Sequence, residues 1–109
     1  MIEIRAVNGV PVNAGKKILD RIGEPAALEQ LAEEATELAK AALKLARVQR
    51  GNNPTPVTKE QALENLQEEI SDVHVCCSVL GIASDDGIRA AKLKRWLERL
   101  GVEYEIQEC

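Results

Sequence analysis

Two stretches of this chain nearly repeat each other, and the pairing limits the fold more than any other feature. Residues 27–38 read ALEQLAEEATEL and residues 62–73 read ALENLQEEISDV. Six of the twelve aligned positions are identical. Most others swap like for like, as Gln for Asn, Thr for Ser, Glu for Asp and Leu for Val. Amphipathic helices resemble one another by composition alone, but here the acids match position for position. From Pro25 to Gln49 no further Gly or Pro interrupts a run rich in Ala, Leu, Glu and Lys, all strong helix formers. This predicts a long helix over 25–49. Residues 50–57, RGNNPTPV, form a turn-rich break. Thr58 followed by Gln61 makes a capping box and opens a second long helix over 58–80, stopped by Gly81. Two long helices on a short loop pack antiparallel, so the expected fold class is an all-α antiparallel helical bundle.

The flanking segments are shorter. Residues 1–12 alternate, and Asn8-Gly9 sits between two apolar arms, which predicts a small N-terminal β-hairpin. Pro11 demotes its second arm to an edge. Asn13 is placed to cap a short helix over 14–22, ended by Gly23. Ser84 is placed to cap a last helix over 85–100, with Asp85 and Asp86 favourable in its first turn. The tail from Val102 to Ile106 alternates again, and either pairs with the hairpin or frays.

At 109 residues the chain makes one domain, 1–109. It has no Phe, one Trp and one Tyr, so its core is aliphatic and thin, which favours a homo-oligomer. The net charge of −4, with both signs mixed, leaves no basic footprint for nucleic acid. No apolar run is long enough for a membrane span, and no signal peptide is visible. Cys76, Cys77 and Cys109 match neither a zinc spacing nor a disulfide framework. They read as reduced thiols of a cytoplasmic protein.

The acids occupy particular faces. With Leu31 at zero and about 100° per residue, Leu28, Ala35, Leu38, Ala42 and Leu45 form the apolar stripe. Glu34 falls at roughly −60° and Glu37 at roughly −120°, on one flank of it. Glu33 points to solvent. On the second helix Glu69 and Asp72 take the same two positions relative to Leu66. The first pair lies about fifteen residues before the loop and the second about thirteen after it, so they meet within about 3 Å along the axis. Four converging carboxylates repel by roughly 4 kcal/mol per close pair at an effective dielectric near 20, and need protons or cations nearby. A solvated helix face would carry acid–base pairs at i,i+4, and these positions lack them. Only Glu37 has a base close by, Lys40. Oxygen donors without His or Cys suit a hard cation such as Mg²⁺. His74 lies on the far flank from Asp72 and reads as a structural or surface histidine.

The pattern Glu33-Glu34-x-x-Glu37 followed by Glu69-x-x-Asp72 resembles the EExxE…ExxD signature of the MazG-like, all-α nucleoside triphosphate pyrophosphohydrolases, over roughly residues 26–100. The resemblance implies a helical bundle completed as a homodimer or homotetramer. It also implies Mg²⁺-dependent cleavage of a nucleoside triphosphate between its α and β phosphates, with Mn²⁺ as a substitute ion. Carried over residue by residue, Glu34, Glu37, Glu69 and Asp72 match the metal ligands. Glu33 matches the motif's first acid, a candidate catalytic group that binds a further ion or orients a water. The Glu-Glu-Ala-Thr-Glu run also resembles phosphoribosyl-ATP pyrophosphohydrolase, but Ser71-Asp72-Val73-His74 does not clearly follow that enzyme's pattern.

Attack at a phosphorus needs positive charge for the leaving pyrophosphate. Lys92, Arg95 and Arg99 follow at i, i+3 and i+7 on the last helix and form one basic stripe. It either binds phosphate or is a solvated face near a helix C-terminus. Lys44, two turns beyond Glu37, is a weaker phosphate candidate. Trp96 either stacks on a base or packs. A rival reading from another class is a non-catalytic helical oligomer or adaptor whose acids are merely solvated.

Overall fold

The computed structural model describes residues 9–51 and 56–107. Its elements are four helices: α1 (Ala14–Ile22), α2 (Glu24–Arg50), α3 (Lys59–Leu80) and α4 (Asp86–Leu100). Most of the hairpin expected over 1–12 lies outside the described residues. No helix among the described residues is long and apolar enough to cross a membrane.

The two long helices form where their end signals put them. Pro25 lies in the first turn of α2, where its missing N–H is no loss. At the start of α3 the Thr58 hydroxyl accepts from the Gln61 N–H at 3.1 Å, and the Gln61 side chain accepts from the Thr58 N–H at 3.0 Å. At the far end, Gly81 adopts φ 68°, and its N–H and that of Ile82 donate back to the last turn. A side chain there would carry the strain of a left-handed backbone.

Two caps differ from expectation. Asp85, not Ser84, caps α4, its carboxylate accepting from the Ile88 N–H at 2.9 Å. A carboxylate is the better acceptor facing a helix N-terminus. Ser84 instead receives the Arg89 guanidinium, which also pairs with Asp86. Asn13 precedes α1 with φ 56°, and its side chain makes no cap bond. It serves by tolerating the left-handed conformation, while its carbonyl accepts from the Lys17 N–H at 3.0 Å.

Packing is dominated by α2 against α3, with α1 laid on α3. α1, which leads directly into α2, meets α3 at Ser78 and Val79 near its end, so the start of α2 lies beside the end of α3 and the pair is antiparallel. The buried side chains are small: Ala27, Ala41 and Leu45 on α2, and Ala62, Cys76 and Val79 on α3. Alanines at 2% and 1% exposure (Ala27 and Ala62) let the two backbones approach closely. The seam is sealed near both ends only. Within 28–40 and 63–75 no residue is fully buried, and Leu31, Leu38, Leu66 and Val73 are half-covered.

α1 joins this pair through Gly15. A Cβ there would lie 3.0 Å from the Ser78 carbonyl oxygen and 3.4 Å from the Val79 Cα. Replacing Gly15 by Val forces the two backbones apart. In urea titrations Gly15→Val lowers stability by about 1–3 kcal/mol, as overpacked sites do. In the same assay Thr58→Ala, which removes half of the capping box, costs about 1 kcal/mol.

Candidate metal centre

The unsealed middle of the α2–α3 seam is where the acids lie. Glu34 from α2 and Glu69 and Asp72 from α3 each bring one carboxylate oxygen to within 4.8 Å of the other two. Glu34 and Glu69 are half-buried and Asp72 is exposed. The side chains converge because Glu34 and Glu69 flank the apolar stripes of two helices that face each other, and Asp72 follows Glu69 by one turn.

The trio carries little internal compensation. The Gln30 amide donates to Glu34 at 2.8 Å. No ion pair among the described residues reaches Glu34, Glu69 or Asp72. Glu69 holds its proton more tightly than an ordinary glutamate. Partial burial is the first cause, followed by the negative charges of Asp72, Glu34, Glu37 and Glu68. Cys76, one turn beyond Asp72, is buried, and its thiol is also pushed up, mainly by burial and then by Glu34. A thiol so placed is unreactive.

Glu37, the fourth expected ligand, stands apart from the trio. It is exposed and accepts from the Lys40 ammonium at 3.3 Å. It still adds its charge to the field at Glu69. Glu33 is exposed and outside the cluster. Lys44 is half-buried on α2. Lys92, Arg95 and Arg99 line one open groove of ≈ 880 Å³ on α4, together with Trp96. Among the described residues α4 makes no contact with α1, α2 or α3, so one chain does not bring this stripe to its own acids. His74 is exposed and borders a separate depression with Cys77 and Ile82. The Gln30 contact went unread in the sequence, although its i,i+4 spacing to Glu34 signals it.

The donor set fits a hard divalent cation. Oxygens sharing one Mg²⁺ at about 2.1 Å lie up to about 4.2 Å apart. The trio spans 4.8 Å, a difference small side-chain rotations cover. Comparison with family models, curated proteins and solved structures finds no match for this chain, so the family resemblance stands on the motif residues alone.

A cation at this site would reverse the electrostatics of the trio. Without metal, a Glu69 pKa above its unfolded value means that the folded protein binds more protons than the unfolded one in that window. Stability therefore falls as pH rises from the ordinary carboxylate range through the raised value. This component is absent from Glu69→Gln, so in EDTA the wild type loses more stability than the variant as pH rises above the ordinary carboxylate range. Added Mg²⁺ raises the wild-type melting temperature, with a gain of about 2.7 kcal/mol at a hundredfold excess over Kd. Glu69→Gln does not respond. Thermal melts of both proteins across pH, in EDTA and in Mg²⁺, check all three outcomes.

Proposed function

We propose that this protein is a Mg²⁺-dependent nucleoside triphosphate pyrophosphohydrolase. It would convert a nucleoside triphosphate to the monophosphate and pyrophosphate as a nucleotide-pool housekeeping enzyme of the cytoplasm. The observation that carries this reading is the convergence of Glu34, Glu69 and Asp72 from two facing helices. These are three of the four ligand positions of the EExxE…ExxD pattern. A bound Mg²⁺ would supply charge neutralisation of phosphate oxygens and a more acidic water.

The chain's own residues supply the rest. Glu34, Glu69 and Asp72 hold their oxygens in one cluster, fixed by the α2–α3 seam. Glu37, paired with Lys40, borders the cluster. The half-covered Leu31, Leu38, Leu66 and Val73 line the same stretch of the seam. The mildly apolar setting strengthens charge interactions at the site. Lys92, Arg95 and Arg99 are the candidates for the leaving pyrophosphate.

The test is pyrophosphate release from a panel of canonical, deoxy and modified triphosphates. Activity is expected with Mg²⁺ or Mn²⁺ and is lost in EDTA. Glu69→Gln and Asp72→Asn each reduce kcat/KM by about 10²-fold or more, the scale of losing a preorganised electrostatic contact. Silence across the panel would favour the adaptor reading. Unchanged activity in both variants would remove the acids from the site.

A further inference from the structure

The two acidic stretches repeat each other, yet their carboxylates are not held alike. Gln30 precedes Glu34 by one helical turn, as Asn65 precedes Glu69. The Gln30 side-chain amide donates to Glu34 Oε1 at 2.8 Å. Asn65 is one methylene shorter. Among the described residues the matching stretch of α3 carries a bond from the Ser71 hydroxyl to the Gln67 carbonyl at 2.8 Å, and none from Asn65 to Glu69. Glu34 is also the trio's sole member from α2, while α3 supplies the other two. A glutamate has several rotatable bonds, and holding it in one rotamer costs entropy. An oxygen from α2 enters the cluster only while Glu34 is held there.

The kind of donor decides what the carboxylate can then do. Glu37, one turn further along α2, is held by the Lys40 ammonium at 3.3 Å and stands outside the trio. An ammonium orients a carboxylate but also offsets its charge, and it competes with any other cation for the same oxygens. A carboxamide is neutral. It takes one of about four lone-pair sites on the carboxylate and leaves the others, with the full charge. Gln30 is exposed, and an exposed pair of this kind adds little to helix stability. Its effect falls on where the Glu34 oxygens point, and so on a ligand rather than on the fold.

We propose that Gln30 is a positioning residue for divalent-cation binding: its amide holds the Glu34 carboxylate toward Glu69 and Asp72 without cancelling its charge. The assignment rests on the metal reading of the trio and adds to it a residue outside the EExxE…ExxD pattern. Carboxylates that bind metal are themselves held by outer hydrogen bonds, and losing one weakens metal binding by about 10- to 100-fold. Position 30 therefore requires a hydrogen-bond donor that carries no charge. Gln30→Met keeps the length of the side chain and removes the donor. Gln30→Lys keeps a donor but adds charge, four residues from Glu34, at the spacing of a helix ion pair.

The test is calorimetric titration of the full-length chain with Mg²⁺, without nucleotide, beside thermal melts in EDTA. Methionine and lysine are both good helix formers, so neither substitution disturbs α2 itself. Gln30→Met is expected to melt close to the wild type in EDTA and to bind Mg²⁺ about tenfold more weakly. Gln30→Lys is expected to be at least as stable in EDTA, because the new ion pair relieves the repulsion among the acids, and to bind Mg²⁺ more weakly still. Stability kept or raised while affinity falls is an outcome that a merely structural role of Gln30 does not produce. Unchanged affinity in either variant overturns the proposal and leaves the metal reading standing. So does a loss of affinity matched in both variants by a lower melting temperature in EDTA. If Gln30→Met alone is destabilised, Gln30→Lys decides. A wild type that takes up no Mg²⁺ at millimolar concentration overturns the metal reading and this assignment with it.

Discussion

The close approach of α2 and α3 is the contact on which the other features rest. With no Phe in the chain, the seam is closed by Ala27, Ala41 and Ala62, with Leu45, Cys76 and Val79. Small residues allow short interaxial distance, but each buries little apolar area, at about 25 cal/mol per Å². The seam is therefore tight but only modestly stabilising. Two helices also have just one mutual face. Leu28, Leu63 and Ile70 remain exposed among the described residues.

That same approach brings the carboxylates together. Sealed ends hold the middle of the seam at a fixed width, and Glu34, Glu69 and Asp72 project into it from opposite sides. Wider spacing, as bulky core side chains would impose, would leave them as separate surface acids. The clustering is unfavourable by itself: after partial burial, the charges of Asp72, Glu34 and Glu37 push the Glu69 carboxyl above its ordinary pKa. The burial at the two ends offsets it. A fold that keeps like charges in its least covered stretch loses stability there, and a compensating cation would restore it.

Much of this was legible in the sequence, because helix ends and helix faces are set by local chemistry. The Thr58–Gln61 box, Gly51, Gly81 and the doubled acidic stretch placed two helices and the trio. Glu37 was read as a ligand from its flank position. Its Lys40 contact was also visible at i+3, and in the folded chain that ion pair is formed. The cap of α4 was misplaced by one residue because Ser84 and Asp85 both satisfy the pattern, and only the backbone decides between them. The contact of Gly15 with Ser78 joins residues far apart in sequence, so no local pattern could announce it. The same holds for the isolation of α4, whose stripe reads like that of any packed helix.

The isolation of α4 bears on how the site works. Acids drawn from one helical pair and bases carried on a third element face opposite requirements. Held permanently together within one chain, they would neutralise each other as salt bridges and leave neither free for a metal or a phosphate. The sequence spaces them so that no base falls four residues from Glu34, Glu69 or Asp72. The fold then keeps α4 off the body that bears them.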